Sequence, residues 1–176
     1  MGDVATLEVV ELGRLTESQR AELVAAEEDP FDAAGNTLRW RRKDRHVALR
    51  RSDGRLVASA GLVLGELQAE DEARHAFVGI GGVFVTARYR GRGLGRRIVS
   101  EALRHARTLG PEIALLFCHR DRAALYERHG FVKVEPPVLV EQPGGYAEVS
   151  LVTMWRTLRR APALPPGGLT IHSLPF

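Results

Sequence analysis

Arg90-Gly91-Arg92-Gly93-Leu94-Gly95 separates two stretches of opposite character. Before it lies an apolar run ending Val83-Phe84-Val85-Thr86, which reads as a strand. After it, Leu94 to Thr108 places Ile98, Val99, Ala102, Leu103 and Ala106 on one face of a helix. A strand, a glycine turn and a helix in that order suit an anion. Glycines let the backbone approach closely because no Cβ intervenes, and the first turn of a helix offers unpaired N–H groups at the positive end of its dipole. Arg88, Arg90, Arg92, Arg96 and Arg97 add charge around the same point. The stretch is read as a pyrophosphate cradle. It is not a P-loop, since no Lys-Ser/Thr comes after the glycines, and it lacks the later glycine of the dinucleotide pattern.

The cradle sits in a chain of 176 residues, enough for one domain with a sizeable core. Its hydrophobic share of 44% and charged share of 27% are ordinary for a globular protein. A net charge of +3 and an aromatic share of 6% argue against nucleic-acid binding through the basic stretches Arg39 to Arg51 and Arg88 to Arg97. Cys118, the single cysteine, excludes an intrachain disulfide and fits a reducing compartment. Met1 to Leu12 has no basic lead, which predicts no signal peptide, and no apolar run reaches the roughly 18 residues of a membrane span. The expectation is a cytoplasmic protein without a membrane partner.

Working outward, Thr6 to Leu12 alternates like a strand. Thr16 with Gln19 forms a capping-box pattern for a helix that Pro30 ends or bends. His46 to Arg51 and Leu56 to Leu67 read as a hairpin through Ser52-Asp53-Gly54, and Gln68 to Glu72 as the next turn. His75 to Thr86 is a long strand in which Gly79, Gly81 and Gly82 predict a departure from the sheet ladder. After the cradle helix come Gly110-Pro111 as its stop, a buried strand Ile113 to Phe117, and a helix Arg122 to His129 capped by Gly130. Phe131 to Val134 is the next strand. Prolines and glycines bracket an apolar run before Ala147 to Leu158, which reads as one long strand. Pro162 to Gly168 is a linker to a final strand, Leu169 to Leu174.

A second motif stands downstream: Ala123-Ala124-Leu125-Tyr126-Glu127-Arg128-His129-Gly130-Phe131. With Arg90, Gly93 and Gly95 in the first, it resembles the GNAT N-acetyltransferase superfamily, whose signatures are Arg/Gln-x-x-Gly-x-Gly/Ala and Leu/Phe-Tyr-Glu-x-x-Gly-Phe. The resemblance implies an α/β (α+β) fold: a mixed, mostly antiparallel central sheet with helices on both faces and a splayed strand pair that takes acyl-CoA. It implies acetyl-CoA as co-substrate, no metal, and direct attack of a primary amine on the thioester. Val83, Phe84, Val85, Arg90, Gly91, Arg92, Gly93, Leu94, Gly95, Arg96 and His119 would bind the cofactor. Tyr126 would protonate the departing thiolate, a role a phenol with pKa near 10 can fill at neutral pH.

The sequence departs from the family twice. His119 stands where relatives often have Asn, and Arg122 where alanine is usual. The strand before the cradle also carries no glutamate to serve as base. Glu28, Asp29, Asp71, His75 and His119 stay open for that role. Cys118 beside His119 reads as a small core residue, not a nucleophile. A sensor module that binds acyl-CoA without catalysis is the alternative; the missing glutamate favours it and Tyr126 opposes it.

Glu27, Glu28, Asp29 and Asp32 lie between the first helix and Trp40, where the family builds its acceptor wall. Together with Phe31, Trp40 and Phe176 they suggest a small cationic amine. The Pro-Phe segment, Trp155-Arg156 and the terminal strand loosely resemble the aminoglycoside 2′-N-acetyltransferase branch. In that branch a terminal carboxylate, here that of Phe176, helps hold the amino sugar. The tail strand has two readings: return to its own sheet, or pairing with another copy in a homodimer.

Overall fold

The computed structural model describes residues 6–25, 27–29, 31, 33–70, 73–160 and 163–176. Pro30, Asp32 and Asp71 lie outside the described residues. Among those described, ten strands form one sheet: β1 Glu8–Leu12, β2 Arg45–Arg50, β3 Leu56–Gln68, β4 Arg74–Val85 and β5 Ile113–Cys118, then β6 Val132–Lys133, β7 Val138–Gln142, β8 Gly145–Glu148, β9 Val152–Thr157 and β10 Leu169–Ile171. The helices are α1 Glu17–Val24, α2 Leu94–Ala106 and α3 Ala123–Glu127. The sheet runs β6-β9-β5-β4-β3-β10-β7-β8, with β2 and then β1 beside the first half of β3. β4–β5 and β10–β7 are parallel; the other pairs are antiparallel. The mixed, mostly antiparallel sheet is as expected.

Helices cover both faces. Leu94, Ile98, Val99, Ala102, Leu103 and Ala106 of α2 bury against Val47, Leu49, Leu62 and Ile80 on one side. α1 places Leu23 against Ala48, Leu56 and Phe84 on the other. Buried side chains of this kind contribute about 1.5–3 kcal/mol each. They hold β4 between two helices and thereby set where the glycine turn emerges from the sheet. α1 starts with the expected reciprocal cap between Thr16 and Gln19. It ends at Ala25, in a left-handed cap with φ 46°, ahead of Pro30.

Three expectations change. Ala147 to Leu158 is two strands: β8 folds back on β7, whereas β9 pairs β5 and β6. Alternation alone carries no sign of a change of partner. Leu169 to Leu174 shortens to three residues in β10. The reading of that strand as an arm to another copy gives way to its alternative. β10 lies between Leu67 and Gln68 of β3 on one side and Val138–Val140 of β7 on the other, so both edges are used within the chain. A parallel partner needs a long connection, and the chain between Gln142 of β7 and Leu169, which includes β8 and β9, supplies it. The homodimer loses the argument that rested on this strand.

Candidate active site

β4 stays beside β5 only from Phe77 to Gly79. Further on, Leu116–Cys118 of β5 pair with β9 alone, and β4 keeps only β3, whose register shifts between Ser59 and Gly61. The two parallel strands therefore splay, as the glycines of β4 predicted. A Cβ on Gly79 would strike the ring of Phe176, and one on Gly81 would lie 2.7 Å from the main-chain carbonyl of Phe176. Gly82 has φ +57°, a conformation that favours glycine. A cavity of about 960 Å³ opens at the splay.

One end of the cavity is the cradle. Gly91 and Gly93 have φ +72° and +77°, and Gly93 is the N-cap of α2. No heavy atom lies within 4 Å of a Cβ placed on Gly91, Gly93 or Gly95. The helix start is thus open to a pyrophosphate approaching the backbone N–H groups, and the residues fit the group the sequence assigned to them. The first bond across the turn, Arg97 N–H to Gly93 O at 3.1 Å, leaves the preceding N–H groups to the cavity.

The arginines divide. Arg90 turns back, donating from Nε to the Val85 carbonyl at 3.0 Å and from its guanidinium to Glu27 at 2.7 Å. Arg97 holds the Leu7 carbonyl at 2.8 Å. Arg88, Arg92 and Arg51 gather round the Tyr89 ring, with guanidinium carbons 5.3, 5.8 and 5.9 Å from its centroid. Arg96 is exposed. Backbone, more than guanidinium groups, shapes this end.

The middle of the cavity is Val83–Val85 on one side and Cys118, His119, Leu125 and Tyr126 on the other. Tyr126 is buried and meets Phe131 edge-on, ring centroids 6.0 Å apart. Burial drives its phenol well above the ordinary value; nearby Cys118 adds to this and Arg122 opposes it. It is a firmly protonated donor that also packs. Burial likewise pushes the Cys118 thiol up to about 11, and its sulfur lies 3.8 Å from that of Met154. It is a core thiol, as expected.

Asp29, Phe31, Trp40 and Phe176 also line the cavity; Glu28 is exposed and does not. Phe31 tilts on Phe84, Trp40 meets Phe117 edge-on at 6.1 Å, and the Phe176 ring lies 5.1 Å from Phe117. The acids here are committed. Asp29 accepts from the Ala33 and Ala34 N–H groups at 2.8 and 2.9 Å, which hold its carboxyl below the usual range. Glu27 is paired to Arg90. Of the groups considered as base, Asp29 and His119 line the cavity. His75 pairs opposite Leu67 at the distant end of β4. Sequence reasoning missed Arg20, Lys43 and His46, which also line it. The basic stretch Arg39 to Arg45 held no sign that Lys43 faces inward.

A profile of the family described as Acetyltransferase (GNAT) family matches residues 12–131. The chain belongs to that family. At the level of class it is an acetyltransferase with acetyl-CoA as co-substrate. Among solved structures, the GNAT family N-acetyltransferase YhbS of Escherichia coli in complex with CoA is 16% identical. It superposes with a TM-score of 0.58 over 98% of this chain and 94% of that one. Escherichia coli ElaA is 25% identical, TM-score 0.55, over 86% of this chain and 99% of that one. N-acetylglutamate synthase of Neisseria gonorrhoeae, complexed with coenzyme A and N-acetyl-glutamate, is 16% identical, TM-score 0.56, over 87% of this chain and 36% of that one. These likenesses establish a shared fold. No curated protein matches the chain.

Proposed function

We propose that the protein transfers an acetyl group from acetyl-CoA to a primary amine by direct attack, the two substrates meeting in the cavity at the splay. The observation that carries this is the run of one cavity from the glycine cradle, past the unpaired edge of β4, to Tyr126. The cradle holds the pyrophosphate on backbone N–H groups. An N–H of Val83 to Val85 polarises the thioester oxygen, an oxyanion-type contribution. The amine nitrogen bonds to the acyl carbon, the carbon–sulfur bond breaks, and Tyr126 gives its proton to the sulfur; the proton that the nitrogen sheds passes to water, from which the Tyr126 phenolate takes one back. The buried phenol favours this over a sensor without catalysis, since a sensor needs no donor there. The reading extends to one domain over residues 1–176 and to the cytoplasm, where a reduced Cys118 is at home. No helix among the described residues is long and apolar enough to cross a membrane.

The test is release of coenzyme A from acetyl-CoA with a panel of primary amines, alongside acetyl-CoA titration by calorimetry. Amine-dependent release is expected. A protein that neither bound acetyl-CoA nor released coenzyme A with any amine would refute the reading.

A further inference from the structure

Part of the cavity wall is a group of bases that the proposed chemistry does not use. Lys43 leaves the segment before β2 and lies along the glycines of β3 and β4. Its Cε is 3.1 Å from the point a Cβ on Gly81 would occupy, and its Nζ is 3.6 Å from that point on Gly82. It thus stands beside the splay itself. Arg20 of α1 and His46 of β2 share this wall. His46 is 9% exposed, and its Nδ1 meets the Gly13 carbonyl at 2.8 Å.

The three bases act on one another. The Lys43 ammonium is pushed down to about 8, first by burial and then by Arg20. His46 is lowered by burial, with Lys43 and Arg20 adding to it, and the Gly13 contact opposes the shift. Arg14 and Arg41, also on the lining, share the one carboxylate of Asp44 at 3.2 and 2.7 Å. The lining acids Glu27 and Asp29 are engaged elsewhere. Among the described residues, no carboxylate pairs with Lys43 or Arg20. An unpaired charge held partly out of water is costly, and a ligand that brings the opposite charge removes the cost.

We propose that this wall binds a carboxylate borne by the acceptor, with Lys43 as the direct contact and Arg20 as flanking charge. The acceptor is then an amine that carries a carboxylate, not a polycation. Trp40, Phe117 and Phe176 beside it suit an apolar body on the same molecule. The proposal rests on the acetyltransferase reading above and reverses the charge of acceptor that the acids of the sequence suggested.

The main-chain carboxyl group of Phe176, the last residue of the sequence, stands at the same glycine as Lys43, so this carboxylate as an internal partner for Lys43 is the rival account. Two measurements decide. The first needs no turnover: 3-phenylpropionate, a carboxylate without an amine, is titrated into the protein with and without coenzyme A. It should bind in both. Lys43→Met, which keeps the apolar stem over Gly61, should weaken it about tenfold or more, and the exposed Arg20→Gln a few-fold. No binding, equal binding by wild type and both variants, or displacement by coenzyme A would overturn the proposal.

The second compares phenylalanine with phenethylamine as acceptors. Wild type should prefer phenylalanine by about tenfold or more in kcat/KM. Lys43→Met should abolish the preference through KM, with acetyl-CoA affinity unchanged. A wild-type preference for phenethylamine or for polyamines would also sink it. If 3-phenylpropionate bound as described while no amine was acetylated, the acetyltransferase reading would fail and the carboxylate site would stand.

Discussion

In the mechanism proposed above Tyr126 is the proton donor, and its burial keeps it protonated. Burial raises its phenol far above its ordinary value, so the proton is in place when the thiolate departs. Tyr126→Phe preserves the ring against Phe131 and removes the donor. It should lower kcat by roughly 10²-fold with little change in acetyl-CoA affinity, measured where chemistry limits the rate. A variant turning over at the wild-type rate would leave the tyrosine with packing alone. Lys43 gives a prediction in stability. Its folded value near 8 lies below its ordinary 10.5, so the folded protein bears the cost of the charge below pH 8. That cost fades as pH rises from 8 to 10.5, because there the unfolded chain still holds the proton that the folded one has lost. Lys43→Met should therefore be the more stable protein at pH 7, by on the order of 1–3 kcal/mol. The advantage should shrink towards pH 10 in urea melts; one that is constant across pH would mean the charge is not what is penalised.

The turn from β4 into α2 was legible because its geometry demands glycine, and glycine is visible in a sequence. Gly91 and Gly93 take left-handed φ, and Gly95 keeps the helix start bare. Gly95 makes the cleaner probe, since it needs no unusual φ and a side chain there meets no protein atom within 4 Å. Gly95→Val should keep its melting temperature close to that of wild type and lose acetyl-CoA affinity about tenfold or more. Unchanged affinity by calorimetry would remove the cradle. The splay was legible for the same reason, in Gly79, Gly81 and Gly82. What could not be read was where charged side chains turn. Arg90 belongs to the motif, yet it reaches back to Glu27; Lys43 sits in a run of bases whose Arg41 and Arg42 also line the cavity, and it lies against the glycines of β3 and β4. Nor could alternation reveal that residues 147–158 serve two neighbours, since both stretches keep the same period.

In the whole molecule, β10 is the strand that joins β3 to β7. Leu169, Ile171 and Phe176 are 3%, 0% and 2% exposed, and burial of three such side chains contributes roughly 5–9 kcal/mol. That is comparable to the entire stability of a domain. A protein cut after Gly168 should therefore fail to fold cooperatively in urea; a truncated chain that melted like the intact one would show β10 to be an ornament. The other long-range tie joins α1 to the cradle. Thr86, where β4 ends, donates through Oγ1 to the Leu23 carbonyl at 2.8 Å, and four residues on Arg90 reaches Glu27. The exit of α1 is thus fastened twice to the loop proposed to hold the pyrophosphate, and the proposed acceptor wall begins near that fastening. Whatever orders one side must bias the other, and by equal free energy in both directions. Thr86→Val keeps the shape and cuts one tie, and it should reduce the factor by which acetyl-CoA tightens acceptor binding and, equally, the factor by which acceptor tightens acetyl-CoA. The two substrates would then be ordered not by a moving lid but by a shared hinge pin, each finding the protein stiffer after the other has arrived.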